Sequence, residues 1–311
     1  MKKNFLLPTL LLAIFACLGT LTLEAAEVRF ERESDSVKVF LDDSFFTEYR
    51  FRDGQNPIFW PIIGPTGEKM SRSYPMEEGV PDERRDHPHH RSLWFTHGEI
   101  SGVNFWHTSD EAGIIEHVEF SSLEPPTMRV KNSWKDREGR VVLSDERSIT
   151  FGADDLGRWI DFAILLSASN GDVVFADTKE GTFGFRVPGV LDVDRRKGGK
   201  IINSEGLVDD AAWGKRAAWV DYNGVMNEKP VGIAIMNHPQ SAFYPTYWHV
   251  RTYGLFAANP FGVGDFTKQK GHPGEYTLPK GQTLRLMYRV YFHAGDESEG
   301  KVAENFEKYS K

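Results

Sequence analysis

The chain has 311 residues, a formal net charge of −8 and one cysteine, Cys17. An acidic chain with no basic run is a poor partner for nucleic acid, and a lone thiol excludes both a disulfide framework and a cysteine-ligated metal. Past residue 26 no apolar run exceeds strand length, so no membrane span is expected.

Residues 1–26 read as a secretory signal peptide: Lys2 and Lys3 lead an apolar run from Phe5 to Leu18, and Ala25 and Ala26 mark a cleavage point. This predicts a periplasmic or secreted protein, with lipidation at Cys17 as the alternative. Residues 27–311 are then one domain. From Val28 to Asp53 apolar and polar residues alternate with period two, with Val37, Val39 and Leu41 in one phase and Phe45, Thr47, Tyr49 and Phe51 in the next, so strands are expected. Phe59 to Pro65 reads as a short strand and loop, and Thr66 to Arg85 as an irregular connection. Strand rhythm returns at Ile114–Phe120, Met128–Trp134, Val141–Phe151 and Arg158–Ala168, the middle pair forming a hairpin across Asp136–Gly139. Val173–Val187 starts as a strand, breaks at Lys179-Glu180-Gly181 and resumes. Val231–Met236 is apolar enough to be buried on both faces. Thr283–His293 is a last long strand with Leu284, Leu286, Tyr288, Val290 and Phe292 in phase, and only Glu297–Tyr309 has helical character. The fold class expected is all-β: one large antiparallel sandwich of two broad sheets with a short C-terminal helix, or two smaller sandwiches meeting near residues 150–170.

Five of the ten histidines lie between Asp86 and Thr108, in Asp86-His87-Pro88-His89-His90-Arg91-Ser92-Leu93-Trp94, His97-Gly98 and Asn104-Phe105-Trp106-His107. Imidazole takes or gives protons near neutrality and binds metals, and Trp94 and Trp106 offer flat apolar faces of the kind that grip sugars. Pro88 biases His87 toward an extended conformation. On a strand His87 and His89 would share a face, and with a third histidine, His97, His107 or His238, they could form an open three-histidine transition-metal site. Asn237-His238-Pro239 echoes the opening motif at the end of a buried strand, where a proton-transfer histidine would be held in place. Glu180 interrupts an apolar stretch, so it is either a general base or part of a solvated turn. In Trp248-His249-Val250-Arg251 alternation puts Trp248 and Val250 on one face and His249 and Arg251 on the other. Arg251 could clamp an anionic or hydroxyl-rich ligand, and Asn259 stands nearby in Asn259-Pro260-Phe261-Gly262. No phosphate loop, nucleophile elbow or dinucleotide fingerprint is present.

The motif from Asp86 to Trp94, with His97-Gly98, Glu180-Gly181, Trp213-Gly214, Asp221-Tyr222, Asn237-His238-Pro239 and Tyr253-Gly254-Leu255, resembles the PmoA-like family of exported bacterial proteins across nearly all of the mature chain. The methane-monooxygenase subunit behind that label is a membrane helix bundle, which nothing here matches. The all-β layout resembles the galactose-mutarotase-like supersandwich, and this resemblance implies a sugar ligand. The epimerase motifs of that fold do not match residue for residue, so no roles are carried over.

The expected function is an exported carbohydrate-active enzyme without a cofactor. His238 or His90 would be the acid and Glu180 the base. Asp86, His87, Arg91, His97, Asn237, Arg251 and Asn259 would bind polar groups, and Trp94, Trp106, Trp213 and Trp248 would supply platforms. Epimerisation, elimination and hydrolysis stay open; hydrolysis normally needs two carboxylates, and one good candidate is present. The alternatives are a non-catalytic sugar-binding protein and an oxidase or oxygenase with a metal on His87, His89 and His97.

Overall fold

A computed structural model describes residues 26–311. The expected leader and Cys17 lie outside these residues, apart from Ala26. The strands are β1 (Val28–Arg32), β2 (Ser36–Leu41), β3 (Ser44–Arg50), β4 (Ile58–Ile62), β5 (Leu93–His97), β6 (Ile114–Glu124), β7 (Thr127–Lys135), β8 (Val141–Ala153) and β9 (Gly157–Ser167). They continue with β10 (Val173–Phe175), β11 (Gly181–Arg186), β12 (Lys200–Asn203), β13 (Trp219–Met226), β14 (Lys229–Asn237), β15 (Tyr247–Val250), β16 (Leu255–Asn259), β17 (Tyr276–Leu278) and β18 (Thr283–Ala294). Two short α-helices, α1 (Val263–Thr267) and α2 (Val302–Tyr309), and three single-turn 3-10 helices at Gly189–Leu191, Val193–Arg195 and Asp209–Ala212 complete the described elements.

Two antiparallel eight-stranded sheets result. The first has the order β1-β2-β3-β4-β5-β11-β16-β15, the second β12-β13-β14-β18-β9-β8-β7-β6. The expected large antiparallel sandwich with a short C-terminal helix is therefore what the strands form. The segment 150–170, the alternative place for a boundary, is β8 and β9 paired edge to edge inside the second sheet.

Aromatic rings hold the sheets together. Phe183 of β11 stacks on Tyr288 of β18 at 4.7 Å and meets Phe162 of β9 at 4.9 Å, while Phe46 and Phe185 both reach Phe292. Each such ring, moved from water to this interior, contributes about 1.5–3 kcal/mol. Leu284, Leu286, Tyr288, Val290 and Phe292 all point into this core, as their phase predicts. In β3 the simple alternation fails. Phe46, Tyr49 and Phe51 face the core, because an irregularity opposite Val39 and Phe40 shifts the register by one residue.

Two smaller apolar clusters lie outside the sandwich. Ile58, Trp60, Trp94, Trp106, Leu255 and Ala257 cover the outer face of the first sheet, with Tyr253 against them. Ala234, Met236, Tyr291 and Val302 lie on the outer face of the second, where Phe306 and Tyr309 of α2 pack. Val231, Ile233 and Ile235 of the same β14 point into the main core, so this strand is buried on both faces as expected. Among the described residues no helix is long and apolar enough to cross a membrane.

Candidate active site

One row of residues organises the outer face of the first sheet. Trp94 on β5 pairs with Gly184 on β11, Gly184 with Ala257 on β16, and Ala257 with His249 on β15. Three strand spacings, about 14 Å, separate the backbones of Trp94 and His249. The two residues between them are small, so large side chains from either end can lean over the middle. At Gly184 this is compulsory, since a Cβ there would lie 2.6 Å from the Trp94 indole.

The histidine segment arches over the Trp94 end. It is no strand. His90 N–H donates to the His87 carbonyl at 2.9 Å, and His87 has φ +43°, against the extended conformation that Pro88 favours. The cause is Arg72. Its guanidinium donates to the carbonyls of Arg84, Asp86, His87 and His90 and to Asp86 Oδ1, gathering the loop around one buried cation. Burial, and then the like charge of Arg186, bring Arg72 down to about 10, so it stays charged at neutral pH. The rings consequently form a stack instead of sharing a strand face. His87 lies flat between His90, at 4.7 Å, and Tyr253, at 5.5 Å, while His90 lies against Trp94 at 5.4 Å. His89 stands edge-on to His90 and to His107.

Hydrogen bonding fixes the proton on two buried imidazoles, with opposite results. Arg186, projecting from β11 beside this row, donates from Nη1 to His90 Nδ1 at 3.0 Å and from Nη2 to Asp86 Oδ1 at 2.8 Å. A guanidinium only donates, so His90 Nδ1 is the acceptor and its proton sits on Nε2. Burial, with His89 and Arg186 adding to it, holds His90 well below the ordinary histidine value and therefore neutral. Burial pushes the Asp86 carboxyl up, but Arg186, His87 and Arg72 outweigh it and keep the group ionised. At the other end His249 Nδ1–H donates to the Lys179 carbonyl at 2.7 Å, so His249 Nε2 carries a free lone pair. Burial brings His249 down to about 4, with Glu180 opposing. Neither His90 Nε2 nor His249 Nε2 has a protein partner, although both atoms are buried. The indole N–H groups of Trp60, Trp94, Trp106 and Trp213 share that condition on the same face.

Glu180 reaches the site on a pinned loop. Asp177 accepts from the backbone of Gly264 and Gly274, Lys179 N–H donates to Asp265, and Asn259 Nδ2 donates to the Thr178 carbonyl. The segment is thus no solvated turn. Glu180 is half-buried, 3.2 Å from Lys179 Nζ, and its charge bears on both His249 and Tyr253. Arg251, on the same strand phase as His249, lies over Trp213 at 5.8 Å and Tyr253 at 5.4 Å, and Lys268 covers Trp213 at 4.9 Å.

The structure therefore brings together Asp86, His87, His89, His90, Trp94, Trp106, Glu180, Trp213 and Arg251 on or over the outer face of the first sheet. Several expectations are corrected. His238 lies on the second sheet, edge-on to Tyr309 of α2 at 4.9 Å, where its Nδ1 accepts from Gln240 N–H. Asn237 is consumed by Thr246 N–H and the Met287 carbonyl. Trp248 is an inter-sheet core residue whose indole donates to the Ala217 carbonyl, because the apolar phase of β15 faces inward. His97 points inward from the end of β5, donates to the Ala176 carbonyl and packs on Phe261. It is not placed with His87 and His89, and among the described residues no group of three or more His, Cys, Asp or Glu is arranged to hold a metal. Arg91 ties Asp53, and Asn259 braces the Glu180 loop from behind. His249, Arg186 and Tyr253 were the residues missed. For His249 the signal was the alternation itself, which set it opposite Trp248. A cavity of about 360 Å³ beside Ser71, Glu83 and Gly189 includes none of the clustered rings.

Among functionally curated proteins none matches this sequence. Similar solved structures include a galactose mutarotase related enzyme from Lactobacillus acidophilus, with 10% identity, covering 87% of this chain and 99% of that one at a TM-score of 0.38. A candidate aldose 1-epimerase from Escherichia coli K12 has 10% identity and a TM-score of 0.37, with 86% and 99% covered. A glycoside hydrolase family 97 enzyme from Pseudoalteromonas sp. strain K8, in complex with panose, has 10% identity and a TM-score of 0.34, with 88% of this chain but 35% of that one covered. One family model matches, over residues 36–307, and its description names no PmoA-like group. The chain belongs to the family of unknown function DUF6807.

Proposed function

We propose that this protein is an exported, carbohydrate-active enzyme that moves a proton on its substrate. The carrying observation is the pair of buried imidazoles with opposite tautomers on one sheet face, His90 offering an N–H and His249 a lone pair. A neutral imidazole N–H can polarise a substrate oxygen on which negative charge develops. Glu180, or His249 backed by it, takes the proton, and Trp94, Trp106 and Trp213 form the walls for the sugar ring. Asp86 spends Oδ1 on Arg72 and Arg186 and has His87 at Oδ2, so its carboxylate is engaged in holding the loop and is not offered as a second carboxylate beside Glu180 for hydrolysis. Epimerisation or elimination is the chemistry this set supports best.

Export through residues 1–26 and kinship with PmoA-like proteins, on the Asp86–Trp94 motif, are parts of the same proposal. Cell fractionation tests the first. The enzymatic reading is tested by screening oligosaccharides and oxidised sugars with the wild type, Glu180→Gln and His249→Gln. A general base contributes about 10²–10⁴-fold, so at least one variant loses two orders of magnitude in kcat. Full activity in both removes the mechanism. The low pKa of His249 favours a second reading, a sugar-binding protein in which this nitrogen only accepts a hydrogen bond. Binding that is lost in His249→Gln, with no turnover of any ligand by the wild type, supports it.

A further inference from the structure

A half-buried cation without a counter-charge is costly, and this protein otherwise avoids the situation. Arg50, Arg72, Arg84, Arg91, Arg186 and Arg289 each have a carboxylate partner, and Arg158 donates to two carbonyls. Among the described residues Arg251 is the one arginine not on the exposed surface whose guanidinium has neither a carboxylate nor a carbonyl. It is held all the same: Trp213 and Tyr253 flank it, Lys268 adds a second cation across Trp213, and that lysine also lacks a carboxylate within ion-pair distance. Two cations without an ion-pair partner, Arg251 partly buried and Lys268 exposed, thus stand together in a chain of net charge −8. They border the row that ends in His249, whose charge environment includes Arg251, Lys179 and Glu180. A guanidinium flanked by two aromatic rings, with its fork of N–H donors unspent on any protein acceptor, suits two-point recognition of a carboxylate.

We infer that the sugar taken by this site is an acidic one, a uronate or related sugar acid whose carboxylate is bound by Arg251 with Lys268 beside it. The inference rests on the sugar reading above and deepens it: Arg251 determines substrate class, while His90, His249 and Glu180 act on the ring. The carboxylate also confers an ionic-strength dependence that a neutral sugar would not have.

The test is a calorimetric comparison of matched probes on the full folded protein: D-glucuronate against D-glucose, D-galacturonate against D-galactose, the corresponding disaccharides, and glucose 6-phosphate. The expected result is binding at least about tenfold tighter for the acidic member of a pair, weakening as salt is raised. R251Q should bring the acidic sugar to the affinity of its neutral counterpart, and R251K should retain part of the preference. Thermal unfolding of both variants serves as the folding control. Equal affinity for acidic and neutral members, or an R251Q effect of the same size on both, overturns the inference and leaves the proton-transfer reading in place. Preference for glucose 6-phosphate over every uronate overturns the carboxylate assignment. If no sugar of either kind binds, both fall.

Discussion

Burial acts on His97 and His249 in the same direction, bringing each to about 4. A histidine whose folded pKa is depressed binds protons more readily in the unfolded chain. The stability it protects is therefore complete above about pH 6.5 and lost as pH falls toward 4. For these two fully buried rings the loss is on the order of 3 kcal/mol each at pH 4. His293 has the opposite sign. Burial lowers its pKa, but Asp221, 2.7 Å from Nε2, outweighs this and holds it above the ordinary value. Its contribution is present in full below that ordinary value and fades as pH rises through the elevated one. Denaturant titrations between pH 4.5 and 7.5 should thus show a steep acid limb. In His97→Gln, which cannot ionise, the drop in unfolding free energy over that range should shrink by about 2 kcal/mol. An unchanged slope would mean that His97 is not held neutral.

Elements matter here through register. Gly184 stands between Trp94 and Ala257, and the indole lies where a Cβ would be. Gly184→Ala should cost about 1–3 kcal/mol through overpacking and displace Trp94. Ligand affinity should then fall more than the thermal midpoint does; unaltered affinity would remove Trp94 from the site. That β11 is a strand was readable from its composition, and so was the alternation along β15, whereas β5, inside the histidine-rich stretch, was not singled out as a strand. Which phase of β15 faced inward was readable too: Trp248 and Val250 are apolar, His249 and Arg251 are not. The weight placed on tryptophan as a sugar platform led to the wrong face. The irregularity in β3 was not readable, because a one-residue shift depends on the partner strand and leaves no mark in a run as apolar as Phe45-Phe46. Nor was the shape of the His87–His90 loop. It is set by Arg72, whose carbonyl partners begin twelve positions along the chain.

For the whole molecule, the two proline-flanked tripeptides belong to opposite outer faces. Asp86-His87-Pro88 lies over the first sheet and Asn237-His238-Pro239 lies under α2 on the second, with the aromatic core between them. One imidazole from the second half of the chain does share the outer face of the first sheet with the His87–His90 loop, and it is His249, not His238. His238→Ala should therefore keep at least half of the wild-type kcat, checked on whichever sugar the screen identifies. A collapse in that variant with its fold intact would restore the discarded assignment. Placement of this kind could not be read from local pattern, since motif likeness carries no information on which sheet a strand joins.

Four of the eight tryptophans, Trp60, Trp94, Trp106 and Trp213, sit on the candidate face, while Trp134 and Trp248 are sealed in the core and Trp159 and Trp219 lie near the C-terminal helix. Half of the indole chromophores thus lie on the face where an incoming molecule is proposed to bind. The chain carries its own optical gauge, and quenching or a blue shift on titration would register occupancy without any label.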